Sequence, residues 1–520
     1  MRRILYTILL LSFFAACTKI EQETPGQLEL DGKKPSNESV SLSETQLGFF
    51  KLGGLAAAEI SAYDPLTKKL FVVNNEVIGG KANQRIDVLD LSNPASPLLL
   101  APIPIEDFGG AVNSVSVKNG MLAAAIEDIP KQNPGKVVVF RTTNYDVLAD
   151  RTVGALPDMV TFSPDGKYIL TANEGEPDDD YVVDPEGSVS IIDVENAFST
   201  TTLNFAAFAS QADALKKKGL RIFGLKASFA QDIEPEYVAV SANSKTAWVS
   251  LQENNAIARI DLRSKSIEAI LPLGFKDYSA AGNEMDLSDK DNIKGNFKSW
   301  PVKSMFLPDG LAVHPENGTP FVYSANEGDS RDYDGFSEEF TLNKKTDLLD
   351  PSRFPNAANL VQEPQLGRLK LTSTLGDPDG DGDYDELYSF GARSISVWNG
   401  QTGQLVFDSK NEIDRQWATK SNFDDGRSDD KGAEPETVVI GRIGNRNLLF
   451  VALERADAFA VYDVTNPVKP SLRQWILTGD APEGILFVPA EESPNGKSLV
   501  IVSSEGDGTI RIYTTQESVF

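Results

Sequence analysis

The sequence predicts an all-β protein, a seven-bladed β-propeller with loop insertions on one face. Three observations carry that prediction: a unit that recurs seven times, apolar–polar alternation within each copy, and turn residues at the copy boundaries, in a 520-residue chain with 40 Gly and 29 Pro. Period-two alternation marks half-buried strands, whereas a helix repeats every 3.6 residues. Units of three or four strands stack radially as propeller blades. Two stacked β-sandwiches are the alternative single-domain arrangement.

The N-terminus comes first. Residues 1–16 combine Arg2 and Arg3, an apolar run from Ile4 to Phe14 and the small pair Ala15-Ala16, which reads as a lipoprotein signal peptide. Cys17 follows at once and is the expected lipidation site, with residues 17–45 as a polar, flexible tether to the membrane. The apolar stretch is too short to span a bilayer. Residues 46–520 are the expected propeller.

The seven copies begin at Glu59 (EISAYDPLTKKLFVVNNE), Asn113 (NSVSVKNGMLAAAIED), Leu156 (LPDMVTFSPDGKYILTANEGE), Glu234 (EPEYVAVSANSKTAWVSLQEN), Leu307 (LPDGLAVHPENGTPFVYSANEGD), Glu434 (EPETVVIGRIGNRNLLFVALER) and Ala481 (APEGILFVPAEESPNGKSLVIVSSEGD). Ser163–Gly166 (SPDG) is a tight turn between two strands of the third copy. The last copy ends its third strand at Thr509–Tyr513, so Leu47–Leu52 (LGFFKL) is the expected outer strand that closes the ring.

Composition excludes several functions. One Cys forbids a disulfide framework, and one His leaves no multi-His zinc centre and a single imidazole for any Ser-His-Asp triad. His314, in LAVHPENG, reads as structural. Seventy-six acidic against 49 basic residues give a net charge of −27, which argues against nucleic acid, whose phosphates call for clustered Lys and Arg.

Blade topology then places the acids. The first strand of a blade leaves one face and the second returns to it, so residues before strand one and after strand two share that face. The first set is Glu59, Asn113, Asp158, Glu236, Asp309, Glu436 and Glu483; the second is Glu76, Glu127, Glu174, Glu253, Glu327, Glu454 and Glu505. Crowded carboxylates repel and are costly to bury unpaired, so this face is expected to bind a cation or cationic ligand. The competing reading is local: each acid caps backbone amides or pairs with Arg259, Arg331, Arg393 or Arg455. Four insertions open on the same face, at residues 204–231, 274–306, 329–388 and 408–432, and loops on a scaffold are where function concentrates.

The third insertion holds a metal motif, GDPDGDGDYDELYSFGARS. Asp377, Asp379 and Asp381 alternate, Gly382 turns, and Asp385 falls at the ninth position, the pattern by which an EF-hand loop wraps oxygens around a hard cation. Asp383 would offer its backbone carbonyl. Position twelve departs: Tyr388 stands where a bidentate Glu belongs, so Glu386 or another loop must complete the shell. Calcium is the expected cofactor, and a solvated acidic turn is the alternative. The clusters Asp178–Asp180 and Asp332/Asp334 read equally as ligands or as solubilising surface.

With repeat and aspartate loop in hand, the chain resembles the choice-of-anchor I family, secreted or cell-surface propellers of the mesenchyme-specific cell-surface glycoprotein type, some of them labelled atypical alkaline phosphatases. The matching stretches are Leu156–Pro177, Asp184–Val194, Ser324–Tyr333, Asp379–Asn399 and Ala481–Gly496, within a likeness from about Gly53 to Tyr513. Individual blades also resemble YVTN-type surface-layer repeats. The resemblance implies a surface propeller with a variable anchor, here lipidated Cys17.

Two functions are in view. One is a lipid-anchored, calcium-binding propeller of the cell envelope that holds an unknown extracellular or periplasmic ligand on its acidic face. The other is a metal-dependent phosphoesterase in which Arg331 and Arg393 clamp phosphate. Thr18 after the acylated Cys lacks the Asp that favours inner-membrane retention, so an outer-membrane lipoprotein is expected.

Overall fold

The computed structural model describes residues 41–315 and 318–515; the signal peptide, Cys17 and most of the tether lie outside them. Seven antiparallel sheets share one order, their strands running from the inside outward in chain order; the first and fifth pass over inserted strands, and the seventh ends on an N-terminal strand. Their innermost strands are Ser61–Asp64, Val112–Lys118, Pro157–Phe162, Pro235–Val240, Leu311–Val313, Pro435–Ile443 and Pro482–Val488. Each contacts the next, and the last contacts the first, so these strands form a closed ring. The seventh sheet is completed by Gly48–Lys51, which pairs antiparallel with Thr509–Thr514 in the register Gly48↔Ile512 to Lys51↔Thr509. Docked chain extends further toward the N-terminus: Leu42 is buried, bridges Thr515 and exchanges two hydrogen bonds with the Gln474 side chain.

The second strands explain why the repeat is so apolar. In Tyr168–Asn173 (YILTAN), Leu170 and Ala172 pack with Val249 and Leu251 of the fourth sheet, while Ile169 packs the other way onto Ala123, Ala125 and Val137 of the second. Alternate side chains leave opposite faces of a strand, and here both faces meet a neighbouring blade. Each fully buried Leu or Ile contributes roughly 1.5–3 kcal/mol relative to exposure. The Ser163–Gly166 turn forms as expected, with Gly166 N–H donating to Ser163 O at 2.8 Å and Gly166 at φ +74°.

The insertions are more ordered than loops. Those at 274–306 and 329–388 combine into one further sheet of Phe275–Asp277, Lys303–Met305, Tyr388–Ser389, Leu371–Thr372 and Glu339–Phe340. Tyr278, Met285, Leu287, Trp300, Leu349 and Leu360 lie in a core of its own. The first insertion holds one short α-helix, Ala212–Lys216. In the fourth, Glu412–Trp417 is a helix whose Ile413 and Trp417 enter the core between the fifth and sixth sheets. Among the described residues no helix is long and apolar enough to cross a membrane.

Candidate functional site

The acids of the first set are aimed by a recurring local device. Pro157-Asp158, Pro235-Glu236, Pro435-Glu436 and Pro482-Glu483 each open a strand, and in each the pairing register slips just after the proline. Such a bulge re-aims the side chain it carries. In three of these four copies the residue before the proline is left-handed: Leu156 at φ +46°, Glu434 at +47° and Ala481 at +48°. Leu307, before Pro308-Asp309, has φ +45° as well. That conformation costs a non-glycine residue on the order of 1–2 kcal/mol, and strain of this kind clusters at functional sites. Gly310 lets the fifth sheet reach the sixth, because a Cβ there would meet Glu436 O at 2.7 Å.

Two acids of the second set are aimed by asparagine. Asn173 and Asn326 end their second strands fully buried, and their amides bond to Ser188 and Ser190, and to Ser394 and Ser396, of the third strands. Pinning the strand end this way directs the following Glu174 and Glu327 toward the mouth. The Asn-Glu pairs of TANEGE and SANEGD are thus one part of the scaffold and one part of the site.

All seven residues of the first set line one cavity of about 450 Å³ inside the ring. Burial, then Glu505, pushes the Glu59 carboxyl up to about 8, although Asn75 Nδ2 donates to it at 2.9 Å. Burial, then Glu176, lifts Asp158 to about 7. Glu236, Asp309, Glu436 and Glu483 are all held well above the usual carboxylate range, by burial first and then by one another and the second set. Desolvation and like charge act in the same direction on a carboxylate, and both favour its protonated form. Asn113, the one amide of the set, donates to Pro157 O at 3.2 Å.

The second set divides. Glu76 accepts from Gly54 N–H at 2.8 Å and Glu127 from Ala111 N–H at 3.3 Å, the local capping of the competing reading. Glu174 and Glu253 are raised well above their ordinary values by burial and neighbouring acids. Glu327 accepts from Gln252 Nε2 at 2.7 Å and Lys431 Nζ at 3.0 Å. Glu454 pairs with Arg455 at 2.8 Å yet is pushed up to about 8, mainly by burial and then by Glu434. Glu505 lies beside Glu483 and helps to raise its carboxyl.

Of the four arginines considered as partners, Arg455 alone pairs with a residue of either set among the described contacts. Arg259 bonds Glu268 at 2.9 Å and Gln401 O at 2.8 Å. Arg331, 1% exposed, is held by Asp232 and by Glu234 at 2.9 Å, with its guanidinium stacked 4.5 Å from the Phe223 ring. Arg393, 2% exposed, reaches Asp286 O at 3.0 Å, Ser428 O at 2.9 Å and Asp414 at 3.4 Å. Both guanidinium groups are therefore committed to the protein interior, which leaves the phosphate clamp expected of Arg331 and Arg393 without a free fork. His314 is buried, 3.1 Å from Val464 O.

The aspartate loop is exposed by contrast. Asp377, Asp379 and Asp381 each offer a carboxylate oxygen within 4.8 Å of the others. Asp377 accepts from Gly380 N–H at 2.7 Å and Gly382 N–H at 3.1 Å, and Gly382 has φ +99°. Asp383 N–H donates to Asp381 at 3.2 Å. Asp385 instead meets Asp350 and lies 3.5 Å from Arg353. Glu386 is engaged by Lys303 at 2.7 Å and by the Tyr388 hydroxyl, so it does not close the shell in this geometry.

A family model, the Choice-of-anchor I domain, matches residues 59–467, most of the chain and every residue of the first set except Glu483. The chain belongs to the choice-of-anchor I family. Gigasin-3a of Magallana gigas is 26% identical over 182 residues, 28% of this chain and 64% of that protein. The mesenchyme-specific cell surface glycoprotein of Strongylocentrotus purpuratus is 24% identical over 334 residues, 53% of this chain and 42% of the relative. The chain thus spans less than two thirds of either curated relative. Among solved structures, a chain of a mitotic checkpoint complex aligns over 97% of this chain and 99% of its own with a TM-score of 0.49 and 10% identity. The propeller assignment itself rests on the sheet order and the closed ring. The choice-of-anchor I match and the Strongylocentrotus relative support a cell-surface or extracellular protein.

Three site residues escape a reading of the sequence. Lys431 sits at the mouth, 3.0 Å from Glu327 and 2.9 Å from Asp329, and Lys131 pairs with Glu176. Gln252 is fully buried against Glu327. Lys431 belongs to an insertion with no repeat to align it, whereas the proline before five of the acids is a signal visible in the repeat.

Proposed function

We propose that this choice-of-anchor I propeller is a cell-envelope binding protein, anchored in the outer membrane through lipidated Cys17, whose acidic face takes up cations, calcium foremost, and through them a ligand or partner. The observation that carries the reading is the convergence of Glu59, Asp158, Glu236, Asp309, Glu436 and Glu483 on one cavity of about 450 Å³. A buried group of carboxylates must be protonated, paired or coordinated to a metal. Oxygen-only donors suit a hard cation, and calcium tolerates their irregular geometry better than magnesium does. The loop of Asp377, Asp379 and Asp381 supplies a second oxygen cluster of the same chemistry.

Calcium titration of the purified full chain by calorimetry tests this reading. Saturable heat that EDTA abolishes is expected; no heat at millimolar calcium would contradict it. The phosphoesterase alternative gains nothing from the geometry, since its two arginines are held inside the protein.

A further inference from the structure

At the junction of the fifth and sixth sheets, three carboxylates from three strand ends converge. Glu327 follows the strand Phe321–Asn326, Glu436 opens Pro435–Ile443, and Glu454 follows Arg446–Leu453. Each offers an oxygen within 4.8 Å of the other two. Strand ends of a closed ring hold such groups more firmly than loops do.

Two orphaned oxygens accompany the trio. Glu436 Oε2 is buried with no hydrogen-bond partner in the protein. Gln252 is 0% exposed; its Nε2 donates to Glu327 Oε2 at 2.7 Å, and its Oε1 is left without a partner. An unmatched buried acceptor costs about 1–3 kcal/mol, and native proteins keep few of them. The Gln252 carboxamide is held by its own bond to Glu327, and its unpartnered oxygen is a neutral ligand of the same hard kind as the carboxylates.

The charges around the trio are unevenly met. Glu434, next to it, has Arg427, Arg455 at 3.1 Å and Lys431 at 3.8 Å, and these outweigh burial and hold its carboxyl below the ordinary range. Glu436 has no cation of its own among the described ion pairs. Of the trio, Lys431 pairs with Glu327 alone, through Oε1 rather than the Oε2 that Gln252 holds, while also reaching Asp329. An ammonium on a flexible stem is a point charge that can leave without disturbing a strand.

We propose that Glu327, Glu436 and Glu454, with Gln252 Oε1, form a divalent-cation site between the fifth and sixth sheets, and that Lys431 is a tethered cation competing for it from the mouth. The proposal narrows the cation-binding reading of the acidic face to one site and rests on that reading. The site takes a hard, oxygen-seeking ion such as Ca²⁺ or Mn²⁺.

The test is calorimetric titration of the full chain with CaCl₂ and separately with MnCl₂, comparing wild type, Glu436→Gln, Lys431→Met and Asp379→Asn. Glu436→Gln is expected to weaken one class of site at least tenfold, and Lys431→Met to tighten the same class about tenfold. Asp379→Asn should leave that class in place. The melting temperature of Glu436→Gln in EDTA should equal or exceed that of wild type, which separates lost ligation from lost folding. Isotherms of Glu436→Gln and Lys431→Met that superimpose on wild type, with binding lost in Asp379→Asn, would overturn the channel site and leave calcium binding to the aspartate loop. No binding to wild type at all would overturn both.

Discussion

The aspartate loop and the channel trio each bring together three carboxylates within 4.8 Å, yet they differ in almost everything else. In the loop, Asp379 and Asp381 are exposed, and Asp377 is occupied by the N–H groups of Gly380 and Gly382. Water and salt screen such charges, so their mutual repulsion costs the loop little. In the channel, Glu327 and Glu454 are buried, Glu436 Oε2 has no partner, and burial drives all three carboxyls upward. Charge density is similar in the two regions. The demand for a proton or a cation is set by how far water is excluded.

The largest expected contrast is in coupling to the fold. Leu453 is fully buried in the strand that delivers Glu454, in the core shared by the fifth and sixth sheets. Leu453→Ala should cost about 2–5 kcal/mol in denaturant unfolding, whereas Asp379→Ala in calcium-free buffer should change stability by no more than about 0.5 kcal/mol. Equal effects would erase the distinction between a scaffolded and a loop-borne cluster.

Acidity gives the next contrast. Glu59 and Asp158 have folded values of about 8 and about 7 against ordinary values of 4.5 and 3.8. Between those limits the folded state keeps protons that the unfolded chain has released, so stability is fully present below about pH 4 and is lost as pH rises through 7 to 8. In EDTA, the unfolding free energy should therefore fall from pH 5 to pH 8 by on the order of a few kcal/mol, the melting temperature falling with it, and Glu59→Gln should flatten the curve. A melting temperature that climbs over that range would contradict the burial argument. Removing exposed loop acids should leave the slope unchanged.

Ionic strength gives the smallest. Raising NaCl from 0.05 to 0.5 M should weaken calcium binding at the exposed loop several-fold and at the channel less, because screening reaches exposed charges first. Dissociation constants measured in Glu436→Gln and Asp379→Asn, each retaining one cluster, would show it. Identical salt slopes would mean that the two clusters are equally wet.

The fold was largely legible because a repeat states its own period. Seven copies with a Glu after each second strand allow one blade to be read from another, and Leu47–Leu52 was recognisable as the closing strand because Thr509–Tyr513 lacked a partner. The positions of the ring acids followed from topology alone. What was hidden lies in segments that do not repeat. The sheet built jointly by residues 274–306 and 329–388 requires the parallel pairing of Lys303–Met305 with Tyr388–Ser389, a contact between stretches with no shared pattern. Glu386 was near enough along the loop to stand in for the missing twelfth ligand, but position along a loop does not reveal that Lys303 engages it. Arg331 and Arg393 had the right chemistry for phosphate, and only their burial against Asp232, Glu234 and Asp414 shows what they hold.

The acidic channel, with its buried and unpaired carboxylates, is built to take a cation. Anomalous scattering from crystals of the full chain soaked in MnCl₂ tests it most directly. The account predicts a peak within coordination distance of Glu327, Glu436 and Glu454, whatever happens at the loop. A channel without a peak at saturating Mn²⁺, with all three carboxylates in their present positions, would contradict it.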